Sequence, residues 1–282
     1  MNIYHLNCGV IQGLHYQNEH LICHCLLLEL PNHHLVLVDT GLGEQDLIDP
    51  QNRFGFGFTH VYAKPERDTY LSAKEQIKKL GFEVGDVQDI ILTHMDLDHV
   101  GGLVDFPNAR IHVHKTEYQT AINERKGFRT KMRYPLKMFA HNPRFITYQD
   151  EGDDWFGFSA IHELKNLPPE ILLIPTAGHS RGHTAVAINT GDNWLVHAGD
   201  CYFDPHEIRI PNGRPEPQLA RFEIINQWNE TKRKQNLQRL NELVTTRPEV
   251  QIFCAHNPQE LHTYQNQSIL LKQQIISHPS VF

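Results

Sequence analysis

The sequence predicts an α/β (α+β) chain folded as an αβ/βα four-layer sandwich, two facing mixed β-sheets with helices on the outside. Three observations predict it. Strand-like segments form two groups, one ending near residue 114 and one starting near residue 171. Helical stretches lie between or after them. His and Asp residues recur just past the ends of apolar strands, where the residues of a sheet-edge site sit. With 282 residues and 40% hydrophobic content the chain can bury such a core as one domain spanning 1–282.

In chain order, residues 3–6, 21–30 and 35–39 read as strands, with His33-His34 as a hairpin tip between the last two. Residues 70–80 read as a helix, Asp89-Ile-Ile-Leu-Thr93 as a short strand and 110–114 as the next. Residues 124–158 show no clear strand pattern and read as a lid or insert. The second group begins with Ile171-Leu-Leu-Ile-Pro175, followed by residues 184–190, which alternate and are rich in β-branched side chains. Trp194-Leu-Val-His-Ala198, a helix at about 220–243 and a strand at 250–255 complete it.

The chemistry is concentrated after the strand that ends at Thr93. His94, Asp96, Asp98 and His99 place two imidazoles and two carboxylates within six positions, too close together to bind one ion without strain. Two adjacent metals fit better. Capping of a helix that starts near Val100 accounts for one such residue but not for four. Two metals need more ligands, and later strands deliver them: His179 after 171–175, Asp200 after 194–198 and His256 after 250–255. Asp39 closes strand 35–39 in the same way.

This ordered set resembles the metallo-β-lactamase-fold superfamily, closest in motif style to its lactonase-like branch, over about residues 2–262. The family pattern is an Asp closing a strand, HxHxDH, a His, a bridging Asp and a final His. Asp39, the His94 to His99 cluster, His179, Asp200 and His256 occupy those places in order. The resemblance implies that metal 1 is held by His94, Asp96 and His179, metal 2 by Asp98, His99 and His256, with Asp200 bridging and Asp39 supporting the cluster from behind. One position departs: Asp96 stands where most members carry His, which hardens metal 1 and adds negative charge. Two divalent metal ions are therefore expected, zinc first, with iron or manganese admitted by Asp96.

Two adjacent divalent cations deprotonate a bridging water near neutral pH and polarise a carbonyl or phosphoryl oxygen. The expected activity is hydrolysis by a metal-bridging hydroxide, first on a lactone or another carboxylic ester, with β-lactam, thioester and phosphoester substrates open. Asp98, Asp39 and Tyr202 are the catalytic side-chain candidates. Related lactonases place a Tyr three residues after the bridging Asp, but here Phe203 holds that position and Tyr202 precedes it. In an extended segment that shift turns the side chain to the other face, so Tyr202 serves as proton donor only if the chain turns there. His183 reads as a turn-fixing residue. Gly178-His-Ser180-Arg-Gly182 matches the elbow of serine hydrolases, yet that elbow must open a helix and the following 184–190 reads as a strand.

Two further classes stay open. A diiron redox protein also carries a carboxylate at the Asp96 position; it would need a separate electron donor, because only 26 residues follow His256. A metal-dependent phosphodiesterase or nuclease would use Arg125, Lys126, Arg129, Lys131, Arg133, Lys137 and Arg144 as a backbone-binding surface. The net charge of −7 and the adjoining Asp150-Glu-Gly-Asp-Asp154 weigh against nucleic acid. The same basic run suits an anionic small-molecule substrate or a solvated helix face. Five cysteines without C-x-x-C read as buried free thiols, Cys201 beside Asp200 among them. No signal peptide or membrane-length apolar run is present, so a cytoplasmic protein without a membrane partner is expected, and homodimerisation is left open.

Overall fold

Alternation along the strands assigns each side chain to a layer. The computed structural model describes residues 1–149 and 152–266; Asp150 and Glu151 of the acidic run, and the end of the expected 1–282 domain, lie outside the described residues. Strands β1 (Asn2–Tyr16), β2 (Glu19–Glu29), β3 (Leu35–Val38), β4 (Val87–Ile91), β5 (Arg110–His114) and β6 (Arg144–Tyr148) form one sheet in that order. It is antiparallel through β3 and parallel from β3 to β6. Its loops carry helices α1 (Ala73–Lys79), α2 (Leu97–Val100) and α3 (Phe128–Arg133). A hairpin of β7 (Asp153–Trp155) and β8 (Phe158–Ala160) precedes the second sheet. That sheet has β9 (Ile171–Pro175), β10 (Thr184–Asn189), β11 (Trp194–His197) and β12 (Val250–Phe253) in the order β12-β11-β10-β9, with α4 (Pro217–Asn226) and α5 (Glu230–Thr246) between β11 and β12.

Leu35 and Leu37 of β3 face a core shared with Ile77 of α1, whereas Val36 and Val38 face the second sheet and meet Leu173, Val186 and Ile188. On β10 the pattern repeats: Val186 and Ile188 point between the sheets, Ala185 and Ala187 towards Leu240 and Leu243 of α5. Helix, sheet, sheet and helix thus stack as four layers. A one-residue register slip would take Val186 and Ile188 out of the central core, and each such side chain contributes about 1.5–3 kcal/mol when buried.

Two expected elements differ. The 124–158 region, expected to show no strand, supplies α3 and the whole of β6, paired with β5 from Arg110↔Arg144 to His114↔Tyr148. This edge strand keeps partly exposed and exposed side chains throughout, so it lacks the apolar run that marks a buried strand. The single helix expected at 220–243 is two helices. The chain breaks at Gln227 to Asn229 because the Trp228 amide donates to the carbonyls of Gly178 and His179, the Asn229 amide also donates to Gly178, and the Asn229 side chain caps α5 at Lys232 N.

Strand direction gathers the expected site. β3 and β4 run parallel, and β9, β11 and β12 share one direction because β10 is antiparallel to both β9 and β11. Their carboxyl ends lead into Asp39, the His94 cluster, His179, Asp200 and His256. Backbone bonds from Ile22 N to His256 O and from His24 N to Ala255 O tie β2 to the segment after β12. The five cysteines are free and buried, and among the described residues no helix is long and apolar enough to cross a membrane.

Candidate metal centre

The orientation of three of the imidazoles, His94, His99 and His256, is fixed from behind, on Nδ1. Asp39 adopts a left-handed backbone (φ 55°) as the chain leaves β3, and its buried carboxylate accepts from Thr93 N (2.8 Å), Thr93 Oγ1 (2.7 Å) and His99 Nδ1 (2.8 Å). Because the Thr93 hydroxyl gives its proton to Asp39, its oxygen is free to accept from His94 Nδ1 at 3.0 Å. His256 Nδ1 donates to the Ile22 carbonyl at 2.7 Å. These partners assign the proton to Nδ1 in all three rings and leave each Nε2 with an outward lone pair.

Those lone pairs converge. His99 Nε2 lies 3.3 Å from His256 Nε2, and with both rings carrying their proton on Nδ1 these are two acceptors face to face, an arrangement suited to a cation between them. His94 Nε2 and Asp200 Oδ1 are buried without a hydrogen-bond partner in a region where such atoms are costly to strand. Asp200 divides its oxygens: Oδ1 is 3.3 Å from His99 Nε2 and 3.1 Å from His256 Nε2, whereas Oδ2 is 3.3 Å from His179 Nε2 and 3.7 Å from His94 Nε2. Asp96 Oδ2 is 3.0 Å from His179 Nε2 and 3.4 Å from His94 Nε2; Asp98 Oδ2 is 3.7 Å from His256 Nε2. With metal–nitrogen and metal–oxygen bonds of about 2.0–2.2 Å, ligand atoms on one ion stand roughly 3–3.5 Å apart, so the donor set fits two neighbouring divalent ions.

Charge agrees with geometry. Burial would raise the Asp200 carboxyl, but the rings of His256, His99, His94 and His179 outweigh it and hold the group well below the ordinary carboxylate range. Burial would likewise raise Asp96, and Arg133 with His94 and His179 holds it well below. The imidazoles are closed off while the side chains of Asp96 and Asp98 are 16% and 15% exposed, so the cluster opens to solvent on their side.

All seven expected metal ligands come together, with Asp39 directly behind His99. Tyr202 does not join them. It is fully buried and its hydroxyl donates to Glu260 at 3.1 Å, within the core beneath the second sheet, which corrects its expected role as proton donor. Phe203 takes the facing position instead, stacked on His256 with ring centroids 5.2 Å apart and planes 2° from parallel. His183 fixes the turn: its Nε2 accepts from the Asp200 amide at 2.9 Å and its Nδ1 bonds Thr176 Oγ1. Ser180 is buried and donates to Glu117 Oε2 at 2.7 Å, so the serine-elbow match carries no nucleophile.

Sequence context gave no site role to Glu117 or Cys23, and placed Arg133 only in the basic run. Glu117, fully buried, accepts from Met95 N, Tyr134 OH, Ser180 Oγ and Gly182 N and so joins the second and third motif loops. Arg133 reaches inward from α3 to Asp96. Cys23 of β2 places its sulfur beside Asp98 and His256. A carboxylate in a position usually held by His was the available signal for a compensating cation such as Arg133; no spacing pointed to the other two.

Fold and site define a metal-dependent hydrolase architecture, and comparison with known proteins gives its family. Residues 19–256 match the metallo-beta-lactamase superfamily domain, and the chain belongs to that superfamily. It is 36% identical over 263 residues to a probable metallo-hydrolase of Mycobacterium tuberculosis, covering 92% of this chain and 81% of that one. It is 28% identical over 199 residues to an N-acyl homoserine lactonase of Bacillus thuringiensis, covering 70% and 71%. Among solved structures, an N-acyl homoserine lactone hydrolase with N-hexanoyl-L-homoserine bound at its catalytic metal centre superposes with a TM-score of 0.66 at 21% identity, over 93% of this chain and 95% of that one, which shows a shared fold.

Proposed function

We propose that this protein is a dinuclear metal-dependent hydrolase of carboxylic esters, lactones first. The observation that carries the reading is the division of Asp200, with one oxygen among His99 and His256 and the other among His94 and His179. His94, Asp96 and His179 would hold metal 1, Asp98, His99 and His256 metal 2, and Asp200 both. Zinc is the first expectation, with iron or manganese as alternatives. Two bound divalent ions supply Lewis acidity towards the carbonyl oxygen and a nucleophile from water near neutral pH.

The remaining roles belong to the chain. Asp39 keeps His99 in the tautomer that presents Nε2 and holds it against rotation. Asp98, on the open side, is placed to take up the proton released as water attacks. Arg133 balances the extra charge of Asp96. Beside Arg133 a cavity of about 390 Å³ is lined by Lys126, Arg129, Glu124, Arg181 and Trp228; Arg181 is paired with Glu124, and the cations left over, Lys126 and Arg129, support a small-molecule substrate with an anionic part. Free buried thiols support a reducing, cytoplasmic setting.

Elemental analysis of protein purified without added metal tests the reading, run beside hydrolysis of an acyl-homoserine lactone, an aryl ester, a cephalosporin, a thioester and an aryl phosphodiester. About two metals per chain with turnover of the lactone or ester is expected. Two irons without hydrolysis would move the assignment to redox chemistry, turnover of the phosphodiester alone to phosphoester cleavage, and a metal-free protein would end it.

A further inference from the structure

We propose that Cys23 is an additional ligand of metal 2, binding through its thiolate beside Asp98 and His256. The inference rests on the dinuclear reading above and adds a ligand to it.

The backbone forces this placement. Ile22 exchanges contacts with His256 twice, its amide donating to the His256 carbonyl and its carbonyl accepting from His256 Nδ1. That pairing fixes where His256 points, and the next residue on β2, Cys23, stands beside it. The Cys23 sulfur and the ligand atoms of Asp98 and His256 all lie within 4.8 Å of one another, and Cys23 is 2% exposed. A second observation points into the same space: the buried Asp200 Oδ1, aimed between His99 and His256, has no hydrogen-bond partner. Gly9 keeps this corner open: a Cβ there would stand 2.8 Å from Leu42 Cγ and 3.2 Å from the Cys23 sulfur.

Ligation exchanges one bond for another without redox change: the S–H bond breaks, sulfur binds the divalent ion, and the proton leaves to solvent. The consequence is an unequal pair of sites. Thiolate is soft and favours zinc, cobalt or cadmium, whereas the Asp96 oxygen makes metal 1 the harder site. The two positions should therefore differ in which metal they keep.

Cobalt(II) substitution of the full chain is the test, because a thiolate bound to cobalt absorbs by sulfur-to-metal charge transfer in the near ultraviolet and nitrogen or carboxylate ligands do not. Wild type should show the band; Cys23→Ala should lose it, and Cys25→Ala, on the same strand, should keep it. Cobalt content read on the same samples separates the two claims. Two cobalts per chain without the band, or a band that survives Cys23→Ala, overturns the thiolate ligand while the dinuclear site stands; failure to bind cobalt overturns both. Should Cys23→Ala not fold, X-ray absorption of zinc-loaded wild type decides, with a sulfur scatterer at about 2.3 Å expected and only lighter neighbours contradicting the proposal.

Discussion

The guanidinium of Arg133 grips the carboxylate of Asp96 with two prongs, Nη2 to Oδ2 at 2.6 Å and Nε to Oδ1, while Nη1 donates to the carbonyls of Asn226 (2.7 Å) and His179 (3.3 Å). One residue of the basic run is thus turned into the site. It joins α3, the end of α4 and the His179 turn to the one position where this chain departs from the HxHxDH pattern. The pair carries no net charge, so a metal held there as proposed would meet an oxygen donor whose extra negative charge is already balanced.

Asp96→His alone therefore does more than exchange a ligand: it leaves Arg133 beside an imidazole with no anion. A loss of about 3–5 kcal/mol of stability is expected, as for other broken buried pairs. Adding Arg133→Met should recover most of it and raise the zinc share of bound metal over iron and manganese. Urea unfolding of the single and double variants, with elemental analysis, measures both; additive losses in the double variant would show that the two side chains are not coupled.

On the proposed dinuclear reading, Asp98→Ala and His179→Ala remove ligands from different ions. Each variant should keep one metal and lose the other, with turnover down by about 100-fold or more. Metal content against activity checks this, and a variant that retains both metals would take its residue out of the ligand set.

Most of this centre was legible because its residues are tied to strand ends: the apolar runs of β3, β4, β9, β11 and β12 each announce a candidate site side chain one to four positions on. What stayed hidden has physical reasons. The Asp96–Arg133 pair spans 37 positions and Glu117–Ser180 spans 63, and contacts closed by tertiary packing leave no local period. β6 is an edge strand without an apolar run, and Cys23 on β2 looks like any small core residue until the register with His256 is known. The break between α4 and α5 is set by backbone bonds to Gly178 and His179, which helix propensity does not encode.

Ser180→Ala should leave turnover within a few-fold of wild type, because the hydroxyl is spent on Glu117 and the cost is that of one buried hydrogen bond, about 1 kcal/mol. Steady-state kinetics on metal-loaded protein decide. A dead variant with its full metal content would falsify the metallohydrolase mechanism and revive the serine elbow.

Tyr202→Phe should be equally silent in kcat. Its hydroxyl lies in the core against Glu260, so removal strands a lone pair there and lowers the melting temperature without touching the reaction. A large fall in kcat with unchanged stability would return Tyr202 to the site.

Asp89 governs stability in acid through a separate network, towards the amino-terminal ends of the parallel strands. Its buried carboxylate accepts from Arg110 Nε and Nη2 (2.6 Å each), His34 Nε2 (2.6 Å) and His112 Nε2 (2.8 Å), while Tyr148 holds His112 from behind at 2.7 Å. Burial alone would raise this carboxyl; the hydrogen bonds from His112 and Arg110 overcome it and the folded value lies below the ordinary one. A depressed folded value stabilises the protein above the unfolded pKa of about 3.9, and that stabilisation drains away as pH falls towards the folded value. Asp89→Asn should accordingly cost about 3–5 kcal/mol at neutral pH and about a third less at pH about 3, where the stabilisation has only begun to drain, with activity of the metal-loaded protein retained. Urea unfolding at both pH values measures the difference, and an equal deficit at each would mean that Asp89 acts by packing and not by its charge.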